Sequence, residues 1–104
     1  MPQKTQVIAL EEHYLDPEVA AQFRGMNAVP ARDAAGIRLL HQRLYDVAEL
    51  RIREMDEAGI DVQVLSHAAP SLQMVDAETA PGLARAANDR LHQTVQAHPD
   101  RFAA

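Results

Sequence analysis

A carboxylate and an imidazole stand two residues apart in Glu11-Glu12-His13, directly after the apolar run Val7-Ile8-Ala9-Leu10. The run reads as a buried strand, in which successive side chains alternate between faces. Alternation carried through to His13 puts Glu11 and His13 on one face and Glu12 on the other. A carboxylate oxygen and a neutral imidazole nitrogen projecting together from a strand end are two preformed ligands for a divalent cation, and the donor set suits Zn²⁺ or Mn²⁺. Taken alone, Glu-x-His is a short motif, and charged residues at a strand end often do no more than meet solvent.

The elements that must position this pair follow in an alternating order. Asp16 is placed to cap a short helix that begins at Pro17 and runs to about Phe23, since proline suits the first turn and aspartate the cap. Arg24 to Arg38 holds Gly25, Asn27, Pro30, Asp33 and Gly36 without a clear period and reads as a loop or lid. Leu44, Ala48, Ile52 and Met55 recur at helical spacing and predict one helix over about 39–58, with Gly59 as its C-terminal glycine. Ile60 to Leu65 is the second strand, Ser66 to Leu72 a loop with Pro70, and the stripe Leu83, Ala87, Leu91 and Val95 predicts a last helix over about 79–97. Strand, helices, strand, helix implies parallel strands joined by crossovers. Arg101-Phe102-Ala103-Ala104 announces another strand. Two parallel strands do not make a stable sheet, so the expected architecture is the beginning of something larger.

Composition sets outer limits. The 104 residues suit one small domain, 47% of them are hydrophobic, and with 4% aromatic residues and no Trp the interior must be aliphatic. The net charge of −5 and the lack of a basic run disfavour nucleic acid and anionic membrane as partners. Without cysteine there is neither a disulfide framework nor a thiolate metal site. No apolar stretch reaches the roughly 20 residues that span a bilayer, and Met1 to Gln6 lacks the apolar core of a signal peptide. A soluble, cytoplasmic protein is the expectation.

Several segments together resemble the N-terminal part of the metal-dependent decarboxylases of the amidohydrolase superfamily, in the branch of the γ-resorcylate and 2,3-dihydroxybenzoate decarboxylases. They are Ala9-Leu10-Glu11-Glu12-His13-Tyr14; Arg43-Leu44 with Asp46 and Arg51; Met55-Asp56 with Gly59-Ile60; Leu65-Ser66 with Pro70 and Gln73; Ala84-Arg85 with Ala87-Asn88-Asp89; and His98-Pro99-Asp100-Arg101-Phe102. The resemblance covers nearly the whole chain, in order and at similar spacing. It implies an α/β fold: the first two βα units of a (β/α)₈ TIM-type barrel, ending before the third strand, with residues 1–104 as the N-terminal segment of that domain.

By the same resemblance Glu11 and His13 are metal ligands, and the remaining metal and acid–base residues lie on later strands with no counterpart here. The implied reaction is non-oxidative decarboxylation of a hydroxylated aromatic acid, with a homo-oligomer as the complete enzyme and an inactive 104-residue chain. Met26, Ser66 and Pro70 fall where relatives shape the aromatic pocket, as does His67. Ala68 stands where relatives often carry Asn, a departure from the pattern at one polar pocket contact. The bland readings are a loop for Ser66 to Pro70 and filler for Met26. His41, His92 and His98 read as solvated or capping residues, and Arg51, Arg53, Glu54, Asp56 and Glu57 as the wet face of a helix. Two alternatives stand beside decarboxylation: a metal-dependent hydrolase segment such as a lactonase, and a non-catalytic α/β assembly module.

Overall fold

The computed structural model describes residues 3–23 and 34–104. Its elements are β1 (Ile8–Tyr14), α1 (Pro17–Ala20) continued by a 3₁₀ turn (Ala21–Phe23), α2 (Ala34–Tyr45), α3 (Glu49–Ala58), β2 (Val62–His67), α4 (Ala80–Ala97) and β3 (Phe102–Ala103). The strands form one parallel sheet in the order β1-β2-β3. The chain is thus α/β with parallel strands, as expected. The sheet nevertheless includes a third strand, because Phe102 and Ala103 pair with Gln63 and Val64.

The helices cover one face of the sheet. Tyr14, Leu65 and Phe102 from the three strands meet Met55 of α3, with Ile52, Ile60, Leu91 and Val95 packed around them. The predicted stripes of α3 and α4 therefore do face the core: Met55, Leu83 and Ala87 are buried. Among the described residues no helix lies on the opposite face, where Ile8 and Leu10 are 52% and 70% exposed.

The predicted helix over 39–58 is two helices. Its break lies at Asp46-Val47-Ala48, where the Asp46 carboxylate accepts from the backbone N–H groups of Ala48 and Arg51 at 2.9 and 3.1 Å. An aspartate bonding backbone groups a few residues on competes with helix continuation and starts a new one. Helix α2 also begins at Ala34, inside the stretch read as loop. At the far end of α3 Gly59 takes φ 74°, and its N–H returns to the Asp56 carbonyl, as the glycine predicted.

Candidate metal centre

Strand β1 runs on through Glu11-Glu12-His13 rather than ending at Leu10. Its register against β2 pairs Ile8 with Val62, Ala9 with Gln63, Glu12 with Leu65, His13 with Ser66 and Tyr14 with His67. From Ala9 to Glu12 β1 advances three positions while β2 advances two, so β1 carries one extra residue. Glu11 lies in this bulge with φ 54°, a left-handed conformation that side chains with a Cβ rarely adopt.

The bulge corrects the expectation of simple alternation. Unbroken alternation would put Ala9 and His13 on the same face. Instead Ala9 and Glu12 share the face of Gln63 and Leu65, against the helices, whereas His13 shares the face of Ser66, which the helices leave open. Glu12 is accordingly half-buried, and Glu11 and His13 are exposed. Of the two adjacent carboxylates, Glu12 is turned toward the helix layer. The extra residue is what delivers His13 to the open face at the carboxyl end of its strand.

His13 is held at two points. Its Nδ1 lies 3.1 Å from Ser66 Oγ across the register pair, and its backbone carbonyl accepts from Arg51 Nη2 at 3.1 Å. Arg51 is half-buried and is no member of a wet helix face. Its Nε donates to the Asp46 carbonyl at 2.7 Å, Nη1 to Gln63 Oε1 at 3.1 Å and Nη2 also to the Arg43 carbonyl at 3.0 Å. Burial lowers its pKa from the ordinary arginine value, against the attraction of Glu12, Asp46 and Glu54. The guanidinium thereby ties the end of α2, the start of α3, β1 and β2 to one another. A cleft of about 290 Å³ lies beside it, lined among others by Glu12, His13, Arg51, Met55 and Gln63. With Met55 and Gln63 in its wall, the cleft lies on the helix side of the sheet and is no substrate pocket for the open face.

His67 is committed elsewhere. The Asp16 backbone N–H donates to His67 Nε2 at 2.9 Å, so Nε2 carries no proton and Nδ1–H donates to the Ala68 carbonyl at 2.8 Å. Both nitrogens are used, and the ring lies edge-on to Tyr14 at 5.3 Å. Asp16 in turn is buried. Its carboxylate caps α1 through the N–H groups of Glu18 and Val19, and it receives Arg90 Nε at 2.6 Å and Nη2 at 2.9 Å. Burial alone would raise the Asp16 pKa; the Arg90 hydrogen bonds and the Val19 and Glu18 N–H groups outweigh it and hold the carboxyl below the usual range. The sequence identified Asp16 as a cap, but Arg90, 74 positions away, has no local signal that pairs the two.

Ser66 and Pro70 lie at and after the carboxyl end of β2, and Met26 lies outside the described residues. Among the described residues no group of three or more His, Cys, Asp or Glu is placed to hold a metal ion. Glu11 and His13 fit a divalent cation as donor types, one an exposed carboxylate and the other an imidazole whose Nδ1 is engaged and whose Nε2 points away from that bond.

No family model matches the chain. A γ-resorcylate decarboxylase of Polaromonas sp. (strain JS666 / ATCC BAA-500) is 41% identical over 96 residues, which is 91% of this chain and 28% of that protein. A dihydroxybenzoic acid decarboxylase structure from Polaromonas sp. JS666, with bound manganese and the inhibitor 2-nitroresorcinol, superimposes with a TM-score of 0.76 at 39% identity, covering 95% of this chain and 29% of that one. A 2,6-dihydroxybenzoate decarboxylase complexed with 2,6-dihydroxybenzoate gives a TM-score of 0.79 at 36% identity over 97% and 30% of the two chains. By sequence and by fold, the chain is similar to the corresponding part of decarboxylases that act on hydroxylated benzoates, and it spans somewhat more than a quarter of the length of the relatives it matches.

Proposed function

We propose that residues 1–104 form the first part of a (β/α)₈ barrel whose complete form is a metal-dependent, non-oxidative decarboxylase of hydroxylated aromatic acids. The observation that carries this reading is His13 at the carboxyl end of β1, on the sheet face that the helices leave open. In barrels that face is the interior and that end holds the chemistry. The exposure of Ile8 and Leu10 on β1 is what an unclosed barrel interior would show.

Glu11 and His13 are the ligands this chain would offer to Mn²⁺ or Zn²⁺, and the manganese in the Polaromonas structure favours the former. A divalent ion there would orient and neutralise the carboxylate and neighbouring phenol oxygen of a small aromatic acid. Ser66 and Pro70 would border that acid from the end of β2, next to His13. A cytoplasmic homo-oligomer is the form we assign to the complete protein. Among the described residues no helix is long and apolar enough to cross a membrane. With two ligands, the 104-residue chain by itself is proposed to be inactive.

The test is a chimera in which this chain replaces the matched segment of the Polaromonas decarboxylase. Mn²⁺-dependent release of carbon dioxide from 2,6-dihydroxybenzoate is expected, falling more than about 100-fold in His13→Ala. A folded chimera that binds Mn²⁺ yet releases no carbon dioxide from any dihydroxybenzoate would contradict the assignment.

A further inference from the structure

The contact between His13 Nδ1 and Ser66 Oγ, at 3.1 Å, joins a strand-end imidazole to a hydroxyl fixed opposite it by the sheet register. We propose that Ser66 is the positioning residue of His13. Its oxygen accepts the Nδ1 hydrogen and so selects the tautomer in which Nε2 presents its lone pair to a divalent cation. The proposal rests on His13 being a ligand and goes beyond it by naming what makes the ring a competent one.

Three features of the molecule support it. First, the ligating nitrogen of a histidine is set by the hydrogen bond its other nitrogen makes. A neutral imidazole free in water favours the form protonated on Nε2, which leaves no lone pair there. Some partner for Nδ1 is therefore needed, and Ser66 Oγ is within reach of it. Second, the sheet register sets the two side chains opposite each other. His13 and Ser66 are register partners on one face, and Arg51 Nη2 pins the His13 carbonyl at 3.1 Å, so the ring can turn about its own side-chain bonds but its base does not move. Third, the neighbouring histidine shows what a committed ring looks like. His67 Nε2 is consumed by the Asp16 N–H, and its Nδ1 donates to the Ala68 carbonyl. Among the described residues, His13 Nε2 makes no such bond. The Ser66 hydroxyl, accepting from His13, retains its own hydrogen and can still donate to a substrate oxygen beside the metal.

Long-range ¹H–¹⁵N spectra of the ¹⁵N-histidine-labelled chain without metal, well above the imidazole titration range, read the tautomer directly. The wild-type His13 ring is expected with a protonated Nδ1 and a bare Nε2. Ser66→Ala should move it to the Nε2–H form, and Ser66→Thr, which keeps the hydroxyl and suits a strand, should restore the first pattern. A wild-type ring protonated on Nε2, or an unchanged ring in a Ser66→Ala chain whose amide spectrum shows it folded, would overturn the proposal. Mn²⁺ titration of the same samples, followed by broadening of the His13 ring signals, should show the dissociation constant rising about tenfold or more in Ser66→Ala and returning in Ser66→Thr. Equal affinity in all three would also overturn it. A wild-type ring of the expected tautomer that Mn²⁺ does not broaden at all would instead contradict His13 as a ligand, so the two failures are distinct.

Discussion

Arg51 holds the backbone carbonyl of His13 at 3.1 Å while its other donors reach Asp46, Arg43 and Gln63. One half-buried side chain thereby joins two helices and two strands under the candidate ligand. Truncation would leave the Asp46 carbonyl and Gln63 Oε1, in part-buried bonds, without this donor at a cost of about 1 kcal/mol or more each, whereas the His13 and Arg43 carbonyls are in exposed bonds and can turn to water. Arg51→Ala should therefore lower the unfolding free energy by about 2–4 kcal/mol in urea. Arg51→Lys should recover only a minor part, because a point-like ammonium cannot reproduce the planar fork.

Asp16 couples stability to pH. Its folded pKa lies below the unfolded value of about 3.9, so its contribution is complete above that value and is lost as pH falls through the folded pKa. Stability should thus fall with pH below about 4 in the wild type and more gently in Asp16→Asn. At neutral pH the variant should be less stable by about 2–3 kcal/mol, having lost the charged hydrogen bonds of Arg90 and weakened the cap of α1. Arg90 itself is 42% exposed and can turn to water, which keeps the loss moderate. Urea titrations across pH 2–8 measure both.

Glu11 takes a left-handed backbone at the proposed metal centre. With φ 54° at the bulge, any residue bearing a Cβ is disfavoured there relative to glycine. Glu11→Gly and Glu11→Ala both remove the carboxylate, so their difference isolates the backbone. The glycine variant should be more stable than the alanine variant by about 1 kcal/mol, and both should lose Mn²⁺ affinity. Equal stabilities in thermal unfolding would show that the bulge carries no strain.

Gly59 offers the matching control away from the site. Its φ of 74° closes α3, and a Cβ there would meet nothing within 4 Å. Gly59→Ala should accordingly cost about 1 kcal/mol from backbone conformation alone, measured by urea unfolding, with Mn²⁺ binding unchanged.

Much of the architecture was written in local pattern. The stripes of α3 and α4, the Asp16 cap and the Gly59 terminus all depend on residues within a turn or two of one another. The helix break at Asp46 and the bulge at Glu11 were not legible, because each is a choice between two locally acceptable backbones that distant partners decide. Arg51 illustrates the same limit at the site. On a helical wheel it belongs with the charged face, and only the meeting of β1, β2 and α2 around it makes it an internal tie. Glu11 and His13 stood out by type and spacing and were proposed as ligands by resemblance, but the reason His13 reaches the open face is the extra residue that simple alternation leaves out.

Mn²⁺ binding to the 104-residue chain, read from the electron paramagnetic resonance of the free ion, tests Glu11 and His13 as ligands most directly. The wild type is predicted to bind one Mn²⁺ weakly, with affinity reduced about tenfold or more in Glu11→Gln and in His13→Gln and lost in the double variant, while Glu12→Gln retains it. Binding that is unchanged in the double variant, or that depends on Glu12 instead of Glu11, would contradict it.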